Sequence, residues 1–104
     1  MSINVQIHNR AGRITMSGRF DFQVHRAFKD AYTPLLDNTA VHEIEIEMGH
    51  VDYLDSSALG MLMLLNERAK AANKSVSLLN TSGVVSQVLE VANFSKLFNI
   101  KHVA

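Results

Sequence analysis

The chain has 104 residues, the size of a single domain, and a fold of this length buries about two thirds of the surface its unfolded chain exposes. Hydrophobic residues make up 47% and charged residues 19%, a globular composition without disordered or membrane-spanning character. Ten Lys and Arg balance ten Asp and Glu, which argues against holding nucleic acid or anionic membrane by bulk charge, and the absence of Cys excludes disulfides, thiolate catalysis and Cys-ligated zinc.

The first residues, Met1-Ser2-Ile3-Asn4-Val5-Gln6, carry no basic segment followed by an apolar one. No secretory leader is expected, and the chain reads as one soluble, cytoplasmic unit over residues 1–104. Alternation is the first strong signal. Ile3, Val5 and Ile7 alternate with polar residues, and so do Ile14 and Met16. The pattern returns at Ile44, Ile46 and Met48, which alternate with Glu43, Glu45 and Glu47, and again at Val76 and Leu78. Period two predicts half-buried strands in each place. Asn9-Arg10-Ala11-Gly12 reads as the turn of a hairpin between the first two, and Asn99 to Val103 as a short fifth strand.

Between strands the period lengthens. Phe20 or Val24, Ala27, Phe28, Ala31 and Leu35 recur at helical spacing, with Pro34 expected to kink or end that helix. A second helix is expected from Ser57 to Asn73, and a third around Val84, Val85, Val88, Leu89 and Ala92. A short helical turn is expected at Ser95-Lys96-Leu97-Phe98. Strands separated by helices imply parallel pairs joined by right-handed crossovers. Alternating strands bury one face only, unlike a doubly wound sheet. The expected fold is therefore α/β, a mixed sheet of four or five strands with helices mostly on one face and the other face largely solvated.

Loops that follow parallel strands gather at one edge of the sheet, where ligand sites form. Here those loops are Gly18-Arg19-Phe20-Asp21, then Gly49 to Ser57, then Asn80-Thr81-Ser82-Gly83. Asp21, Asp55, Ser56, Ser57 and Ser82 are thereby expected on one rim. Asp55-Ser56-Ser57 precedes the most apolar helix, and these side chains suit an N-cap that accepts bonds from free amides of the first turn. The same position suits a modified hydroxyl. A phosphate at a helix start meets unpaired N–H groups and the positive end of the helix dipole. It would add about −1.5 to −2 charge beside Asp52 and Asp55. The cap and the phosphosite are compatible.

These residues carry a family resemblance. Leu54-Asp55-Ser56-Ser57-Ala58-Leu59-Gly60 resembles the D-S-S/T-G-L-G signature of STAS domains, specifically bacterial anti-sigma factor antagonists. Gly18-Arg19-Phe20-Asp21 is similar to their G-x-[LF]-D element, Thr81 to Leu89 to their late helix, and Phe94 to Ile100 to their closing segment. The resemblance implies that Ser56 accepts phosphate from a partner of the histidine-kinase-like ATPase type, often the anti-sigma factor itself. A metal-dependent serine phosphatase would remove it. The unphosphorylated form would bind the partner and the phosphorylated form release it. Asp21 and Asp55 would position the hydroxyl or contact the kinase, and Ser57 would be the cap. Ala58 stands where the family usually has Gly, which places an extra methyl group near the acceptor.

Other chemistries find little support. His8, His25, His42, His50 and His102 form no spaced metal-binding pair, and neither a nucleophile elbow nor a phosphate-binding Gly-rich loop occurs. The expectation is a binding protein without cofactor or metal rather than an enzyme, with no nucleic-acid partner and no membrane insertion. Met61 to Leu65 exceed one helical face, so they are read either as a fully buried helix or as an apolar patch on the partner surface, with Met61 a contact together with Ala58. Glu43, Glu45 and Glu47 read as the wet face of a strand. Two readings stand beside the switch. One is an accessory subunit of a membrane transport complex of the lipid-trafficking ABC kind, docking through the same rim. The other is a small-molecule binder, of nucleotides for example, between Asp21 and Ser82.

Overall fold

The computed structural model describes residues 2–103. The elements are β1 (Ser2–His8), β2 (Ala11–Phe20), a short 3-10 turn (Phe22–Val24), α1 (His25–Asp37), β3 (Glu43–Leu54), α2 (Ser56–Ala71), β4 (Ser75–Leu79), α3 (Gly83–Val91), a second 3-10 turn (Phe94–Lys96) and β5 (Asn99–Lys101). The sheet runs β1-β2-β3-β4-β5 in spatial order. β1 pairs antiparallel with β2, and the remaining neighbours are parallel.

That order explains the layering. Each parallel connection steps one strand in the same direction, and right-handed crossovers then place every helix on the same face. Ile14, Met16, Ile44, Ile46, Met48, Val76 and Leu78 point into the helical layer and are buried. α1 contributes Phe28, Tyr32 and Leu35, and α2 contributes Ala58, Met61, Leu62, Leu65 and Ala69. α3 adds Val85 and Leu89. Phe20 and Phe28 meet at 5.1 Å between ring centroids, and Phe28 meets Tyr32 edge-on at 5.3 Å.

The opposite face is polar and laced with side-chain bonds. Arg13 pairs with Glu45 at 3.1 Å, Ser77 donates to Glu43 at 2.6 Å, and Asn80 donates to Glu47 at 2.7 Å. So the glutamate row does lie on the outer face, with each carboxylate bonded by a side chain on a neighbouring strand or, for Glu47, just beyond the end of β4. This face is less open at β4 than expected. Ser77 and Leu79 point to it, yet both are 0% exposed. Beyond β5 the chain runs on beside the segment that follows β4: the Val103 amide donates to Asn80, and His102 bonds the Thr81 carbonyl.

Several boundaries differ from those expected. The hairpin turn is Asn9-Arg10 alone, both with positive φ, while Ala11 and Gly12 already belong to β2. β2 and β3 run on through Gly18-Arg19-Phe20 and Gly49 to Leu54, segments expected to be loops. Their pairing continues to Phe20–Leu54 across two register shifts, and these irregularities break the apolar alternation without ending the ladder. α1 does not end at Pro34. Pro34 removes one backbone bond, but Leu35 in the following turn is buried against Gly12 and holds the last turn in place. α2 begins at Ser56, one residue earlier than the spacing predicts.

Candidate functional site

The long pairing of β2 with β3 builds the rim. Phe20 lies opposite Leu54 at the ends of the two strands, so Asp21 and Asp55 leave the sheet side by side. Phe20 and Leu54 are buried beneath them and anchor both exits. Each aspartate then holds the start of the next helical segment. Asp21 accepts a bond from the Gln23 amide at 3.0 Å and caps the 3-10 turn. Asp55 accepts from the Ala58 amide at 3.1 Å and caps α2.

Asp55, and not Ser57, is therefore the cap of α2. A cap must have extended backbone and a short acceptor reaching two or three residues onward. Asp55 has φ −119° and ψ −174°, whereas Ser57 is already inside the helix. This leaves Ser56 as the first helical residue. Its side chain is exposed, and Ser57 behind it is half-buried. The hydroxyl of Ser56 thus faces solvent at the end of a sixteen-residue helix whose first-turn amides are only partly satisfied.

The cation of this corner was not singled out by sequence. Arg19 lies 3.8 Å above the Tyr53 ring and 3.6 Å from an Asp21 oxygen. The register shift after Gly18 puts residue 19 of β2 opposite residue 53 of β3. That pairing could be inferred only once both strands were known to extend this far. Phe22 is another unanticipated feature, 67% exposed and stacked on His25.

Ala58 and Met61 do not belong to the accessible surface. They are 0% and 7% exposed, on the face of α2 that packs against the sheet. The additional methyl of Ala58 is thus sealed in the core, away from the acceptor. The exposed face of α2 instead carries Ser56, Gly60, Met63 and Leu64, with Leu59 half-buried at its margin. Both readings of the apolar run were half right: Leu62 and Leu65 are interior, while Met63 and Leu64 are 45% and 38% exposed. Leu59 also lines a shallow, mainly apolar groove with Gln87, Val88 and Val91 of α3 and Ala92 just after it. Val91 is 85% exposed at its lip.

Ser82 caps α3 by position, is exposed, and makes no side-chain cap bond. It sits at the same end of the sheet but set back from Asp55, because β4 stops at Leu79 opposite Glu47 while β3 runs on to Leu54. Asp21, Asp55, Ser56 and Ser57 thus form one corner, and Ser82 lies on a lower step of the same edge. Among the described residues, no group of three or more His, Cys, Asp or Glu could hold a metal ion. No helix there is long and apolar enough to cross a membrane.

A family model described as "Mlab, STAS domain" matches residues 3–100. The chain belongs to the STAS domain family. A STAS-domain containing protein of Pseudomonas aeruginosa (strain UCBPP-PA14) is 41% identical over 87 residues, covering 84% of each chain. Among solved structures, an anti-sigma factor antagonist from Mycobacterium paratuberculosis superimposes with a TM-score of 0.84 at 16% identity, covering 96% of this STAS domain and 84% of that chain. The anti-sigma factor antagonist SpoIIAA in its unphosphorylated form gives a TM-score of 0.75 at 16% identity, covering 99% and 89%. SpoIIAA of Bacillus in its phosphorylated form gives 0.77 at 15% identity, covering 99% and 92%. These likenesses establish the STAS fold, with its five-stranded mixed sheet and one helical face.

Proposed function

We propose that this STAS domain is a phosphorylation-regulated protein-binding switch of the anti-sigma factor antagonist kind. The observation that carries the reading is the exposed Ser56 hydroxyl at the first position of α2, with its neighbour Asp55 occupied as the cap. Its partner is a serine kinase of the histidine-kinase-like ATPase type that also acts as an anti-sigma factor, and a metal-dependent serine phosphatase resets it. The domain binds and is modified; it does not itself catalyse.

The mechanism follows from the surroundings of Ser56. The unmodified partner surface is the exposed face of α2 with the Leu59–Val88–Val91 groove beside it. A phosphate on Ser56 would meet the amides of the α2 start, so the fold tolerates it. It would also place about two negative charges next to Asp52, Asp55 and this apolar strip. In a closed interface that charge is desolvated and unpaired, which costs about 2–5 kcal/mol, or about 30-fold or more in affinity. Ser56→Ala is expected to capture the partner kinase constitutively, and Ser56→Asp to bind it at least tenfold more weakly. Equal capture of the kinase by both variants in a pull-down would refute the switch.

A second reading uses the same surface without phosphate chemistry. The apolar groove needs no modification to dock a protein, and an accessory subunit of a membrane transport complex would seat it on a transporter ATPase. Co-purification with such an ATPase, with no phosphoserine on the chain in cells, would favour that reading.

A further inference from the structure

The sequence of β1, Ser2-Ile3-Asn4-Val5-Gln6-Ile7-His8, is symmetric in character about Val5. Polar residues occupy the even positions and apolar residues the odd ones. β1 is an edge strand, bonded only to β2. Natural sheets protect such edges with Lys, Pro, a bulge or an inward charge. β1 has no Lys, Arg, Asp, Glu or Pro, and its register with β2 is unbroken from Ser2 to His8.

The direction of the free backbone groups follows from the hairpin. Asn9 and Arg10 have φ of 50° and 69°, a two-residue turn of the primed type that closes on the His8–Ala11 pair. A turn of this kind joins its flanking residues by hydrogen bonds. Antiparallel bonding then alternates along the strand. Ser2, Asn4, Gln6 and His8 direct their amides and carbonyls to β2, and Ile3, Val5 and Ile7 direct theirs to the open edge. The side chains of those same residues lie on the helical face, where Val5 and Ile7 remain 39% and 55% exposed.

We propose that β1 is a self-association edge, on which a second copy of this chain pairs antiparallel about a two-fold axis at Val5. In that register Val5 faces the partner's Val5, Ile3 faces the partner's Ile7, and Asn4 faces the partner's Gln6. Every outward-pointing residue falls in a hydrogen-bonded pair, which gives about six new backbone bonds. The apolar row becomes continuous from one copy to the next, beside α1, which packs against β1. Slipping by one residue would set apolar against polar side chains and misalign the bonding groups. The net charge of zero adds no repulsion between copies. The two-fold leaves both Ser56 corners free, because they lie at the ends of the strands rather than along the β1 edge. One strand per copy is a small contact, so the dimer is weak and concentration-dependent.

Sedimentation of the wild-type chain should rise from its monomer mass of 11.6 kDa toward twice that value as concentration increases to about 1 mM, while Val5→Glu keeps the same circular dichroism and stays monomeric. The absence of Cys allows a positional readout. Val5→Cys would bring two thiols onto backbones about 5.5 Å apart, within disulfide reach, and should form a covalent dimer on mild oxidation. Val91→Cys, on the exposed lip of α3, should not. A wild-type mass fixed at that of the monomer over the whole range, or Val91→Cys cross-linking as readily as Val5→Cys, would overturn the proposal.

Discussion

Ser56 and Asp55 are adjacent yet contribute to different properties. Asp55 accepts an amide bond and fixes the start of α2; Ser56 stands at the first helical position with its side chain in solvent. Removing a capping carboxylate costs about 1 kcal/mol, whereas truncating an exposed side chain away from such features changes stability by less than about 0.5 kcal/mol. Asp55→Ala should therefore lower the urea midpoint clearly, Asp55→Asn should retain most of the cap, and Ser56→Ala should leave the midpoint in place. Ser56→Asp puts a negative charge at the positive end of the α2 dipole and should raise stability by about 0.3–1 kcal/mol. The motif Asp55-Ser56-Ser57 was legible as a helix start, but the choice of cap was not. It depends on β3 reaching Leu54, which fixes Asp55 as the last extended residue.

The elements themselves were legible where apolar period and backbone geometry agree. Strict alternation located the cores of β1 to β4, and helical spacing located α1 to α3. The far ends of β2 and β3 were hidden because Gly18 and Gly49-His50 interrupt alternation while the pairing persists through bulges. Arg19, Tyr53 and the side-by-side exit of the two aspartates became visible only with that pairing. Pro34 does not end α1 for a related reason: tertiary packing of Leu35 outweighs one missing backbone bond. Pro34 is exposed inside α1, so Pro34→Ala should restore that bond and stabilise the domain by about 1–2 kcal/mol after allowing for the freer unfolded chain. Thermal melting would show this as a higher Tm. At Gly12, an added Cβ would come within 2.7 Å of a Leu35 methyl that has little room to retreat. Gly12→Val should cost about 1–3 kcal/mol by overpacking, read as a reduced urea midpoint.

Across the whole molecule, a monotonic strand order and right-handed crossovers place the helices on one face and the exits of β2 and β3 at one corner. The sheet edge at β1 and the corner at Ser56 are thus separate surfaces, and the zero net charge leaves each to be governed by its local residues. The burial of Ser77 and Leu79 on the outer face was not legible, since alternation alone assigns that side of β4 to solvent. In the proposed switch, the STAS architecture supports a helix start whose surface charge changes while the core does not. Phosphosite mapping by mass spectrometry, on the chain isolated from its own cells, addresses this most directly. The phosphate should reside on Ser56 and vanish in Ser56→Ala, with Ser57 and Ser82 unmodified in both. Phosphate on Ser57 or Ser82 instead, or no phosphate under any growth condition, would contradict the account.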